Sequence, residues 1–150
     1  MNLFMPQPVH STSCRVLYGD TDAAGVVYYA NYLRFFEKGR TEYMRDLVLT
    51  TYREVESRGL LLPVIECYSR YKAPAAYDDL LTIETSLAEL KNVSCRFNYR
   101  IYRDESNDSR TLLARGYTVH ASVNRDGKLT KLPAQLLEKL GTILHTSRNP

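Results

Sequence analysis

From Cys95 to Tyr102 the chain alternates residue by residue: Cys95, Phe97, Tyr99 and Ile101 point one way, Arg96, Asn98, Arg100 and Tyr102 the other. A period of two with one apolar side is the pattern of a strand in a half-buried antiparallel sheet. LLTIETSLAEL, Leu80 to Leu90, repeats it with Leu81, Ile83, Thr85 and Leu87 on one face. The polar RDESNDSR then reads as a hairpin loop and LLARGYTVHASV as its return strand. Two further β-prone runs stand earlier, Ser11 to Tyr18 and LPVIECYSRYKAP, which ends at Pro74. Between them the rhythm changes. From Ala30 onward Tyr32, Leu33, Phe36, Tyr43, Met44 and Leu47 recur at intervals of three and four, with Arg34, Glu37, Lys38, Glu42 and Arg45 on other faces. That spacing predicts a helix of about 18 residues, roughly 27 Å long. Gly39 in its middle costs about 1 kcal/mol relative to Ala, and close packing on a sheet is the expected compensation. YREVESRG reads as a short helical or turn segment, DGK at Asp126 to Lys128 as a turn, and PAQLLEKLGTIL as a closing helix with Pro133 near its start. The sum is an α+β domain spanning residues 1–150, one long helix on an antiparallel sheet of about five or six strands.

Composition narrows the setting. A chain of 150 residues with 44% hydrophobic content suits a single core. Its net charge of +3, from 20 basic and 17 acidic residues, is too balanced to advertise nucleic acid or an anionic membrane as a partner. Cys14, Cys67 and Cys95 are odd in number and far apart, so neither a disulfide framework nor a zinc site is expected, and a reducing cytoplasm fits them. The opening MNLFMPQPV lacks the basic start and apolar core of a leader, and no run of about 18 apolar residues predicts an integral membrane segment.

Candidate chemistry concentrates in GDTDAAGVVYY, Gly19 to Tyr29, at the entrance of the long helix. Asp20 and Asp22 there can serve as turn residues or sit favourably at the positive end of the helix. A pair of acids in this spacing also opens some metal-dependent chemistries, including phosphatases whose nucleophilic Asp ends a strand. Those need a parallel sheet with many crossover helices, and this pattern offers one long helix. Asp78 and Asp79 read as turn residues leading into a strand. His10, His120 and His145 are too scattered for a nucleophilic triad, and His120 falls inside a strand pattern, where a structural role is expected. Glu37 and Glu42 have Arg40 and Arg45 three residues on, the spacing of helical ion pairs.

The order YGDTDAAGVVYYANYLRFFE, continued by GRTEYMRDL, closely resembles the signature of the hotdog-fold acyl-CoA thioesterases, in particular the 4-hydroxybenzoyl-CoA thioesterase and YbgC-like group. YKAPAAYDDLL and DGKLTKLP extend the resemblance over nearly the whole chain. It implies a hotdog fold, in which a curled antiparallel sheet wraps one long helix. It implies hydrolysis of an acyl-CoA, with Asp22 as nucleophile or general base, Asp20 supporting through turn hydrogen bonds, and the backbone N–H of Tyr29 as oxyanion donor. Gly25, Val26, Val27, Tyr28 and Tyr32 would line the substrate, Phe35 and Phe36 either shaping the acyl pocket or filling the core. Lys91 and Arg96, with Arg70 behind them, would meet the CoA phosphates. No cofactor is implied beyond the CoA of the substrate, and self-association as a dimer or tetramer is. Many YbgC-like members carry His where this chain has Tyr29, so the resemblance implies no imidazole in the mechanism. The competing reading is a non-catalytic hotdog module that binds acyl groups or a protein partner, with Asp22 kept for the turn.

Overall fold

The computed structural model describes residues 3–146, with the side chains of His145 and Thr146 outside that description. In chain order it contains β1 (His10–Arg15), a 3₁₀ turn (Tyr18–Asp20), α1 (Asn31–Tyr43) running on as a π-helical turn (Met44–Val48), α2 (Tyr52–Ser57), β2 (Val64–Tyr71), β3 (Leu80–Leu90), β4 (Ser94–Asp104), β5 (Arg110–Ala121) and α3 (Ala134–Thr146). The five strands form one antiparallel sheet in the order β1-β3-β4-β5-β2, which leaves β1 and β2 as its edges. The long helix expected from Ala30 is α1 plus the π turn, closed by Leu49 at φ 59°.

The alternation read in β3 and β4 decides which face holds the core. Leu81, Ile83 and Leu87 of β3 and Cys95, Phe97, Tyr99 and Ile101 of β4 are all buried, and α1 lays Tyr32, Phe35, Phe36 and Tyr43 on them. Two glycines set how closely helix and sheet approach. A methyl group on Gly39 of α1 would come within 2.3 Å of the Thr85 hydroxyl oxygen. One on Gly116 of β5 would meet the Tyr68 carbonyl oxygen at 2.1 Å and the Phe36 ring at 2.8 Å. Phe36 lies flat on Tyr99, ring centroids 4.4 Å apart and planes 9° apart. Of the two roles open to Phe36, core filling is the one observed.

The outer face departs from the alternation. Asn98 is expected to face water beside Arg96 and Arg100, yet it is buried. The cause is the segment before β1, which crosses the outside of β3 and β4 and buries Leu3 and Met5 against them. Asn98 Nδ2 donates to the Phe4 carbonyl at 2.7 Å, Arg100 to the Leu3 carbonyl at 3.3 Å, and Ser86 Oγ to the Pro6 carbonyl. A buried amide must find partners, and the strap's main chain supplies one.

Inside the sheet, His120 has the structural role expected of it. It is buried, and its Nδ1 lies 3.0 Å from the Leu62 carbonyl, which can only accept. Nε2 is then the acceptor for the Thr118 hydroxyl at 2.8 Å, and Thr118 in turn receives the Tyr99 hydroxyl at 2.6 Å. Burial pushes the imidazole down to about 4, against the opposing pull of the Leu62 hydrogen bond.

Candidate active site

The segment after β1 is held in place by Asp20. Its buried carboxylate accepts the Leu17 N–H at 2.8 Å, and its carbonyl accepts both the Tyr28 N–H and the Asn31 side-chain amide at 2.9 Å. A tight hairpin is thereby tied to the first turn of α1. Within that hairpin Thr21 bridges Val27, Asp22 donates its N–H to the Val26 carbonyl at 2.9 Å, and Gly25 returns one to the Asp22 carbonyl. Gly25 sits at φ +81°, a conformation costly to a residue with a side chain, so the close approach here depends on glycine. Val26 bridges Ala76, and the buried Val27 donates to the Ala75 carbonyl at 2.8 Å, fixing the hairpin to the β2–β3 connection.

Asp22 stands exposed at the tip of this hairpin. Its Oδ1 accepts the Ala24 N–H at 2.9 Å, the turn role open to it from sequence. No partner for Oδ2 occurs among the described residues. The neighbouring Tyr28 phenol is raised in pKa, first by a hydrogen bond with the Tyr29 side chain and, more weakly, by the negative charge of Asp22. Asp78 and Asp79 are turn residues as expected: Asp78 has φ 71°, and Asp79 caps the Ala76 N–H at 2.8 Å while meeting Arg103 at 3.6 Å.

Beside the hairpin α1 opens without a side-chain cap, its cap position being Ala30. Alanine is a poor residue there because it offers no acceptor to the first-turn N–H groups. Asn31 N–H reaches the Tyr28 carbonyl at 2.8 Å, Tyr32 N–H the Tyr29 carbonyl at 3.4 Å, and Leu33 N–H the Ala30 carbonyl at 3.2 Å. The N–H groups of Tyr29 and Ala30 donate to no carbonyl among the described residues. They lie at the positive end of the helix, equivalent to about half a unit charge, where a developing anion is favoured.

Aromatic rings close one side. Tyr29 packs edge-on against Tyr71 of β2 at 6.5 Å, and Tyr71 against Tyr32 at 5.1 Å. Tyr32 is buried and its hydroxyl accepts the Ala75 N–H at 3.3 Å, so this residue fastens the loop beside the site. Burial is the main reason its phenol is raised in pKa. Sequence reasoning missed two residues here. Asn31 ties α1 to Asp20, and the Tyr71 hydroxyl donates to the Tyr29 carbonyl at 2.8 Å. A Tyr in an alternating strand carries no sign of such a bond.

Lys91 and Arg96 are not brought to Asp22 within one chain. Lys91 pairs with Glu89 at 3.0 Å in the β3–β4 turn, and Arg96 lies 3.9 Å over the Tyr117 ring on the outer face. Arg70, on β2, stands opposite Arg115. The Asp22 hairpin adjoins Ala76, near the start of β3 and the end of β4, whereas Arg96 stands near the start of β4 opposite Val119. Seven residues of strand, about 24 Å, separate Arg96 from Arg103 at the Asp22 end. A groove of about 360 Å³ between β1 and α1 includes Cys14, Asp20, Arg34 and Phe35 but neither Asp22 nor Tyr29. Asp22 and the helix entrance therefore share an open surface beside the β2 edge.

A curled five-stranded antiparallel sheet around one long helix, with a carboxylate hairpin at the helix entrance, defines the hotdog class of thioesterase-like proteins. The chain belongs to the Thioesterase-like superfamily, which it matches over residues 16–140. It is 44% identical over 90 residues to the acyl-CoA thioesterase YbgC of Haemophilus influenzae, a stretch covering 60% of this chain and 66% of that protein. It is 29% identical over 129 residues to the 4-hydroxybenzoyl-CoA thioesterase of Pseudomonas sp. strain CBS-3, covering 83% and 92% of the two chains. Among solved structures, a mutant 4-hydroxybenzoyl-CoA thioesterase complexed with 4-hydroxybenzoyl-CoA superposes with a TM-score of 0.79 at 27% identity, over 88% of this chain and 98% of that one.

Proposed function

We propose that the protein hydrolyses the thioester of an acyl-CoA to the free acid and CoA, with Asp22 as nucleophile or general base. The observation that carries this reading is the pairing, at one helix entrance, of an exposed carboxylate with the N–H groups of Tyr29 and Ala30, which have no carbonyl acceptor among the described residues. In the nucleophilic course a carboxylate oxygen adds to the thioester carbonyl and the oxyanion forms against the Tyr29 N–H. Collapse expels CoA thiolate and leaves a mixed anhydride, which water cleaves. In the general-base course Asp22 takes a proton from water, the hydroxide adds to the carbonyl, and the same collapse releases thiolate and acid. A thiolate leaves readily enough that neither course needs a strong general acid. Gly25 and Val26 flank the thioester, Tyr28 and Tyr32 bound the acyl group, and Val27 holds the hairpin to its neighbour.

The long separation of Lys91 and Arg96 from Asp22 supports a reading in which they act from a second copy. Edge strand β2 carries exposed Val64 and Ile65 and an outer row of main-chain groups unpaired within the sheet. Antiparallel self-pairing there sets the Arg96 end of one chain beside the Asp22 end of the other, where these cations meet the CoA phosphates. No described helix is long and apolar enough to cross a membrane, and the free cysteines suit a reducing cytoplasm.

The Asp22 to Ala24 bond favours the second reading, an acyl-binding hotdog module in which Asp22 serves only the turn. A panel of aromatic, short and long aliphatic acyl-CoAs assayed for thiol release separates the two. Turnover of at least one substrate, lowered by about 10² to 10⁴ in a folded Asp22→Asn variant, supports hydrolysis. A wild type inactive on every member supports the module.

A further inference from the structure

The entrance of α1 is bracketed on both sides of Tyr29. A trans peptide places its N–H opposite its C=O, so whatever holds a carbonyl also aims the N–H of the next residue. The Tyr28 carbonyl receives the Asn31 N–H at 2.8 Å, and this bond sets the direction of the Tyr29 N–H. The Tyr29 carbonyl receives only a long helical bond, from Tyr32 N–H at 3.4 Å. Its short bond, at 2.8 Å, comes from outside the helix, from the Tyr71 hydroxyl. The helical bond is longer than the usual N–H···O range of about 2.7 to 3.2 Å while the hydroxyl bond has an ordinary length, so the Tyr71 contact dominates the orientation of the Tyr29–Ala30 peptide.

We propose that Tyr71 is a positioning residue of the oxyanion site: its hydroxyl holds the Tyr29 carbonyl and thereby aims the Ala30 N–H, as second donor, beside the N–H of Tyr29. The proposal rests on the acyl-CoA hydrolase reading. Its chemical consequence is an oxyanion received by two main-chain donors whose carbonyl ends are each tied down before substrate arrives, so that little reorganisation accompanies the reaction. Tyr71 is suited to this because it reaches the helix from a strand. The bond joins the segment entering α1 to β2, whereas a bond from within the helix would move with it. Around the hydroxyl the rings of Tyr29 and Tyr32 restrict the Tyr71 ring, which limits the entropy lost in making the contact. The side chain is also partly exposed, so losing its hydroxyl leaves no sealed, unsatisfied group in the core.

The test is Tyr71→Phe, which removes the hydroxyl and keeps the ring, with Tyr71→Leu as a control for ring packing. On the best acyl-CoA of the panel, both variants are expected to lower kcat about tenfold while KM stays within about twofold. A Phe variant with wild-type kcat beside a slow Leu variant assigns the effect to packing and overturns the proposal. A second measurement needs no substrate: in isotope-labelled protein, Tyr71→Phe is expected to move the Tyr29 carbonyl ¹³C and Ala30 amide resonances and to leave those of Asp22 and Gly25 in place. Unmoved Tyr29 and Ala30 signals overturn the proposal as well. A wild type inactive on every acyl-CoA removes the hydrolase reading and the oxyanion role with it, whereas an active wild type with unaltered Tyr71→Phe removes the role of Tyr71 alone.

Discussion

The Thr118 hydroxyl donates to His120 Nε2 at 2.8 Å, and the Leu62 carbonyl accepts a hydrogen bond from the N–H of the other ring nitrogen, so the buried imidazole is held neutral. Its pKa is pushed down to about 4 by burial, whereas an unfolded His titrates near 6.5. The neutral form is therefore the one folding stabilises. Its contribution is complete above about pH 6.5 and is lost as pH falls toward 4, on the order of 3 kcal/mol in total. Urea denaturation across that window should show the loss, with a shallower pH dependence in His120→Gln. Parallel pH profiles for the two proteins would remove His120 from the account.

Gly116 is expected to tolerate no side chain. In Gly116→Ala the added methyl meets the Tyr68 main-chain oxygen at 2.1 Å, which no rotamer change relieves, so β2 or β5 must shift. A loss of about 3 kcal/mol is expected. Gly39→Ala, whose clash is with the side chains of Thr85 and Ile83, should cost less. Equal denaturation midpoints for Gly116→Ala and wild type would refute this.

If β2 pairs with its copy, a charge at its exposed apolar edge should separate the subunits. Ile65→Lys is expected to shift sedimentation from dimer toward monomer and to lower thioesterase activity in parallel. A monomeric wild type would rule out the self-pairing, and a variant whose association is unchanged would put it elsewhere.

Asn98→Ala should loosen the strap by removing the donor to the Phe4 carbonyl. The expected cost is about 1 kcal/mol, with faster chymotryptic cleavage after Phe4. Unchanged cleavage would mean that the burial of Leu3 and Met5 holds the strap without help.

The legible parts of this molecule are those where a periodic pattern meets a periodic structure. Cys95 through Ile101 announced their buried face, and the spacing from Tyr32 to Leu47 announced α1. The strap was illegible because Leu3 and Met5 form no run long enough to show a period, and the burial of Asn98 depends wholly on that strap. The site divided in the same way. The hairpin acids, Gly25 and the helix entrance follow one another in the chain and could be read together. Tyr71 acts across 42 residues through one hydroxyl, which no local pattern encodes. The distance of Arg96 from Asp22 likewise depends on strand order, since the chain positions of two residues do not say which end of a sheet each occupies.

The close seating of α1 at Gly39 and of Phe36 at Gly116 has a bearing on how acyl preference could change. Both contacts lie several residues beyond the helix entrance, roughly 10 to 15 Å along the axis from Tyr29. They fix the axial position and rotation of the helix by shape alone, with no group that touches a substrate. Side chains around the entrance can then be exchanged, enlarging or narrowing the space beside it, while the N–H groups of Tyr29 and Ala30 keep their place.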